Sequence, residues 1–316
     1  MRNWTRSILL SLLLASLCFA PPSKPIRGMQ GSRTHPLARG LVGCWLMNEG
    51  TGGKVHDLSG NGLSGIATSC TWSPGKHGAA IEFNGSSSLV NFGTMGNIGS
   101  TLSTASTMSL WLKSPVSDLF GYLLGVYDSD GSCCFVKLNA DSDNNLAAGN
   151  IRVLLDNSGD ALYRLSGSVN RNTGVTDGNW HYLCVVFNRP GKELQVWVDG
   201  IKQEFTYKHQ DAIGSLADFG IDFYMGGINV DGTTPMYFNG LISTFSIHNR
   251  LLTPAEIAGL YADPFQMFEE PARQLYAAGG AAAEPERPQI ILIGSVTPLT
   301  ILTASLAFAS CKRKAA

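Results

Sequence analysis

Apolar and polar residues alternate with period two in one segment after another, most clearly from Trp180 to Ile201, WHYLCVVFNRPGKELQVWVDGI. In the first arm His181, Leu183, Val185 and Phe187 share one face and Trp180, Tyr182, Cys184 and Val186 the other; in the second, Leu194, Val196 and Val198 oppose Gln195, Trp197 and Asp199. The second arm therefore has one apolar face. The first is apolar on both, as in a strand covered from both sides. Between them, Arg189-Pro190-Gly191-Lys192 predicts a turn in which Pro190 presets φ and Gly191 accepts a positive φ, and Asp199-Gly200 predicts a second, tight turn.

Further strands are expected at residues 41–46, 79–83, 89–92, 108–113, 122–127, 134–138, 151–156, 162–169, 223–229 and 241–248, separated by Gly, Asn, Asp and Ser turns. Residues 49–65, with DLSGNG at their centre, read as a turn-rich loop. Many short strands without a tandem repeat imply an all-β sandwich of two antiparallel sheets. One short C-terminal helix follows the last strand. Thr253-Pro254-Ala255-Glu256 supplies an N-cap, a proline at the first helical position and the glutamate of a capping box; Ile257, Leu260 and Tyr261 fall at helical spacing before Asp263-Pro264 ends the helix.

Three ordered blocks carry a family resemblance. DGNWHYLCVVFN and LQVWVDGIKQ resemble the W-H-x-V-A-x-x-Y and V-D-G hairpin of laminin-G-like domains, in the concanavalin A-like lectin/glucanase superfamily. LVGCWLMNEGTGGKVHDLSGNGLSG with GAAIEFNGSSSLVNFG resembles that family's opening strands, and FNGLISTFSIHNRLLTPAEIAGLY its closing strand and helix. The resemblance covers residues 40–265 and implies a jelly-roll sandwich. It does not name a function, because the superfamily holds binding modules, adhesins and enzymes.

The resemblance also bears on candidate chemistry. It makes His181 a structural histidine, Cys184 a small buried strand position, and Trp45, Trp111, Trp180 and Trp197 core residues rather than sugar-stacking platforms. Relatives hold a structural Ca2+ at the sandwich edge through acidic loop residues and carbonyls, which nominates Asp57 and Asn61 as metal ligands, with DLSGNG as a simple turn the alternative. Where relatives often read I-D-E-V in the closing strand, this chain has Ile242-Ser243-Thr244-Phe245, so one calcium-binding carboxylate is missing. The glucanase branch carries a Glu-x-Asp-x-x-Glu strand that pairs two catalytic carboxylates; it does not occur here, nor does a G-x-S-x-G elbow, and Glu193 and Glu204 have no paired acid at strand spacing.

The chain has 316 residues, 44% of them hydrophobic, and 36 glycines, enough for one sandwich domain with extensions. Its net charge of −1 gives no reason to bind nucleic acid or an anionic membrane surface. Arg2 and Arg6 followed by apolar residues 8–20 predict a signal peptide over 1–20, the alternative being a disordered start. Residues 21–39 read as an extended leader and 266–289 as a linker. Residues 290–310, 21 without a charge, form a candidate transmembrane segment followed by a basic tail at 311–316; a frayed apolar tail is the alternative.

Setting aside Cys18 and Cys311 near the ends, five of the seven cysteines fall in the domain: Cys44, Cys70, Cys133, Cys134 and Cys184. Cys44 with Cys70 is the first disulfide candidate, since one lies on the opening strand and the other just after the long loop. A vicinal Cys133–Cys134 bridge would be strained, and no CxxC spacing supports zinc. These readings give a secreted or cell-surface, non-catalytic recognition or adhesion module whose partner is carbohydrate or an extracellular protein. The alternatives are a glycan-processing enzyme of the same superfamily and a purely structural surface protein. Loops at residues 128–132, 140–149 and 232–236 are where a partner site is expected.

Overall fold

The hairpin forms as its alternation demands: Trp180–Asn188 pairs antiparallel with Glu193–Val198, Leu183 lying opposite Val198 and Phe187 opposite Leu194. The structure, a computed structural model, describes residues 22–25, 29–94, 105–115, 120–127, 133–139, 150–156, 164–169, 175–188, 190–210, 222–228 and 236–269, all in the unit Met1–Ala272. The expected signal, span and partner-site loops (the last bar Met236) fall outside these residues.

Around the hairpin an eight-stranded sheet runs in the order Ile201–Gln203, Glu193–Val198, Trp180–Asn188, Ala105–Lys113, Asn239–His248, Gly78–Asn84 and Thr71–Gly75, with Leu41–Trp45 also paired to Asn239–His248. The second sheet runs Phe205–Gln210, Arg164–Val169, Asn150–Asp156, Cys133–Asn139, Phe120–Tyr127, Tyr224–Met225, Leu89–Asn91, Gly65–Thr68 and Lys54–Val55. Between them lies a core containing Trp45, Phe83, Phe92, Val136, Val153, Leu183, Val185, Phe187 and Phe245. Tyr182, Cys184 and Val186, on the other face of the same strand, enter a second cluster with Leu46 and Trp111. The helix Pro254–Ala262 covers that cluster through Ile257 and Leu260. This is the physical reason for a strand apolar on both faces.

Helix and sandwich are joined through a capping box: the Glu256 N–H donates to Thr253 Oγ1 at 3.3 Å and the Thr253 N–H to Glu256 Oε2 at 2.9 Å. Arg250 grips the same carboxylate at 2.6 and 2.9 Å, and its hydrogen bond is the main reason the Glu256 pKa falls to about 2. Arg250 also donates to the Pro36 and Arg39 carbonyls, tying down the 3-10 turn Pro36–Ala38.

Several local expectations are corrected. In the hairpin turn it is Lys192, at φ 50°, that takes the left-handed conformation, while the Gly191 N–H is held by Asn188 Oδ1 at 3.1 Å. The expected strand 223–229 is broken at Gly226, where φ is 80° and a Cβ would lie 2.0 Å from the Phe83 ring. The described residues of the expected leader 21–39 belong to the sandwich: Gln30–Gly31 pairs with Phe268–Glu269, and Leu37 and Met29 pack into the outer cluster. Met267 and Phe268, assigned to a linker, are buried there too.

Candidate functional site

Asp57 organises the loop after the opening strand. Its Oδ1 accepts the N–H groups of Cys44 at 3.0 Å and Ser59 at 2.9 Å; its Oδ2 accepts the Ser59 hydroxyl at 2.8 Å and the Leu63 N–H at 3.0 Å. Four donors use the acceptor capacity of a carboxylate. Asn61 turns its amide nitrogen onto the Val42 and Leu41 carbonyls at 2.8 and 3.2 Å, and the single Ser59 hydroxyl proton is shared between Asp57 and the Val42 carbonyl, which lies 3.0 Å from Oγ. The loop is thereby laced to its own strand.

That lacing does not suit calcium. A Ca2+ site needs several oxygens free to face one ion. Here both Asp57 oxygens face hydrogen-bond donors, and the strand carbonyls that could help are taken by Asn61. Among the described residues no group of three or more His, Cys, Asp or Glu side chains could hold a metal ion.

The laced loop forms one wall of a cleft of about 640 Å³ whose other walls come from the flanks of the domain. Met29, Leu41, Leu58, Met267 and Phe268 give it apolar surface, and Arg33, Ser59, Gly60 and Asn61 give it polar groups. Arg33 and Asn61 are exposed. Sequence reasoning misses this cleft because residues 29–33 and 267–268 fall in the expected leader and linker; the apolar Met29 and the Met267-Phe268 pair are the available signal.

The other candidates separate. Cys44 and Cys70 are not bonded. Cys44 points into the outer cluster and Cys70 packs against the inter-sheet core, so their sulfurs lie on opposite sides of a sheet. Cys184 is a buried free thiol. Trp45 sits between the sheets, whereas Trp111, Trp197 and Trp180 pack on the outer cluster.

His181 is a clamp. Its Nδ1 meets Asp199 Oδ2 at 2.7 Å and its Nε2 meets Asp177 Oδ1 at 3.0 Å, while Asp199 Oδ1 accepts the Tyr182 N–H at 2.9 Å. The Asp199 hydrogen bond is the main reason the His181 pKa is raised above 6.5. For Asp199, burial works upward, but the bonds from His181 and Tyr182 hold its carboxyl below 3.8. The signs give a window. A raised histidine stabilises fully below 6.5 and loses its contribution as pH rises through its folded value; a lowered aspartate stabilises above 3.8 and loses its contribution as pH falls. The Tm difference between wild type and His181→Gln is thus expected to be largest between about pH 4 and 6.5 and to shrink above it; thermal melts across pH check this, and a flat difference would rule out the clamp.

A family model described as the concanavalin A-like lectin/glucanases superfamily matches residues 84–258, more than half of the chain. No curated protein matches it. Among solved structures, the receptor binding domain of botulinum neurotoxin C/D mosaic serotype is 12% identical with a TM-score of 0.54, over 70% of this chain and 51% of that one. The binding domain of Paraclostridial Mosquitocidal Protein 1 is 16% identical with a TM-score of 0.50, over 71% and 52%. Domain 4 of AbnA, a GH43 extracellular arabinanase from Geobacillus stearothermophilus, is 18% identical with a TM-score of 0.49, over 71% and 98%. This chain spans about half the length of those two binding domains. At these identities the likeness is one of fold.

Proposed function

Because the chain belongs to the concanavalin A-like lectin/glucanases superfamily, we propose that it is a non-catalytic extracellular recognition module that binds carbohydrate or a protein surface. The observation that carries this reading is the cleft beside the Asp57 loop, which has the size of a small-ligand site and sets apolar surface beside Arg33, Ser59 and Asn61. Sugars present that same mixture, apolar ring faces rimmed by hydroxyl groups. Glycoside hydrolysis would require two carboxylates, and among the described residues Asp57 is the one carboxylate lining the cleft. Similar botulinum neurotoxin binding domains, solved in complex with rat synaptotagmin II and with SialylT, illustrate the use of this fold for different partners; those partners are theirs. An extracellular place agrees with reading 1–20 as a signal peptide and 290–310 as an anchor.

A glycan array probed with the purified protein tests the proposal. Arg33→Ala is expected to weaken the captured glycan at least about tenfold, the loss of one charge-assisted hydrogen bond. Binding that ignores Arg33→Ala would place the site elsewhere. An array with no signal would turn the search to protein partners, and turnover of a polysaccharide would overturn the non-catalytic reading.

A further inference from the structure

Residues 22–25 lie well before the opening strand, yet they are fastened to the sandwich. The Lys24 N–H donates to the His77 carbonyl at 3.2 Å, Asn48 Nδ2 donates to the Pro25 carbonyl at 3.1 Å, and Pro25 is buried. The Lys24 side chain goes further. Its Nζ donates to the carbonyls of Met47 at 3.1 Å and Ser243 at 2.7 Å, and to that of Ala79.

Those carbonyls come from three separated parts of one sheet: just past the opening strand, the Gly78–Asn84 strand and the Asn239–His248 strand. Carbonyl oxygens only accept, and a neutral amine has only two hydrogens to give. Three acceptors around one nitrogen therefore call for an ammonium. Burial works against that charge and draws the Lys24 pKa down to about 7, while the charge of Glu49 opposes the fall.

Glu49 supplies an independent observation. Its side chain is 4% exposed, and its Oε1 accepts the His56 N–H at 2.8 Å, but its Oε2 is buried without a hydrogen-bond partner. Glu49 stands two residues after Met47, whose carbonyl accepts from Lys24 Nζ, so its buried oxygen without a donor leaves negative charge on the same stretch of chain that cradles the ammonium.

We propose that the Met47, Ala79 and Ser243 carbonyls form a seat for an oxygen-seeking cation, that the buried Glu49 carboxylate lends the seat negative charge, and that Lys24 is its tethered occupant. Docking of residues 22–25 and binding of a divalent ion such as Ca2+ then exclude each other. The seat is built of main-chain oxygens with a buried carboxylate on the adjoining chain, the oxygen chemistry that hard divalent cations prefer. It is distinct from the Asp57 loop, where the acceptors are already filled.

The test compares the full chain with Lys24→Ala, which removes the ammonium and vacates its space. Wild type is expected to melt at the same temperature with Ca2+ or with chelator. Lys24→Ala should melt lower in chelator and gain about 5–10 °C when Ca2+ is in hundredfold excess over its Kd. Adding Glu49→Gln to that variant should remove most of the gain. An equal calcium gain in wild type, or no gain in Lys24→Ala, overturns the proposal. If Lys24→Ala does not fold in chelator, refolding yield becomes the readout: recovery with Ca2+ supports the seat, and a yield that Ca2+ does not change overturns it.

Discussion

Trp45→Ala is expected to destabilise the protein by about 3–5 kcal/mol, the range for truncating a large buried aromatic. Trp45 is 0% exposed and links both layers of the fold. Its ring stacks on Phe245 at 5.0 Å and meets Phe92, across the core on the second sheet's side, at 4.6 Å. Gly43 makes room for it, since a Cβ there would come within 2.1 Å of the indole. The indole N–H donates to the Leu63 carbonyl at 2.7 Å, so the ring also anchors the far end of the Asp57 loop. Trp45→Phe keeps an aromatic ring but loses that bond, and is expected to lose roughly 1–2 kcal/mol. Chemical denaturation of the three proteins measures this order. A Trp45→Ala protein within about 1 kcal/mol of wild type would show that the ring is not the hub of the core.

Residues such as Trp45 were legible in sequence because strand alternation fixes which face a side chain takes. The central hairpin, the strand buried on both faces and the capped helix all follow from period and cap chemistry. The same rule could have excluded the Cys44–Cys70 pair. Cys44 neighbours Trp45, so placing Trp45 between the sheets turns Cys44 outward, away from a loop that closes over the core. Edges were harder. Thr71–Gly75 contains Pro74, which argues against a central strand, and it is in fact the edge of its sheet, where a missing N–H is tolerated. Phe205–Gln210, also an edge, mixes Lys208, His209 and Gln210 with its aromatics and shows little alternation. The Lys24 seat was not legible at all. It joins residue 24 to residue 243, and main-chain carbonyls leave no residue-type signal of their convergence.

The candidate site was half legible, and Asp57→Ala separates the half that was from the half that was not. DLSGNG announces an Asx-type turn, in which a short carboxylate accepts nearby N–H groups, and the four bonds to Asp57 are that chemistry extended back to the opening strand. Removing the carboxylate leaves the Cys44, Ser59 and Leu63 N–H groups without that acceptor. At about 1–3 kcal/mol for each donor that stays buried, the expected loss is roughly 3 kcal/mol, together with ligand capture at the cleft wall the loop forms. Asp57→Asn should fall between, because one oxygen can still accept while an NH2 faces the Leu63 N–H. Trp45 holds the carbonyl of Leu63 and Asp57 its N–H. The double variant Trp45→Ala/Asp57→Ala is therefore expected to lose less than the sum of the singles, by about 0.5–3 kcal/mol, since either change frees the same loop end. Calcium at this loop would give another pattern: chelator would lower the wild-type Tm, and Asp57→Ala would abolish that response. A chelator-insensitive wild type with a strongly destabilised Asp57→Ala identifies the carboxylate as a clasp whose ligands are the chain's own N–H groups.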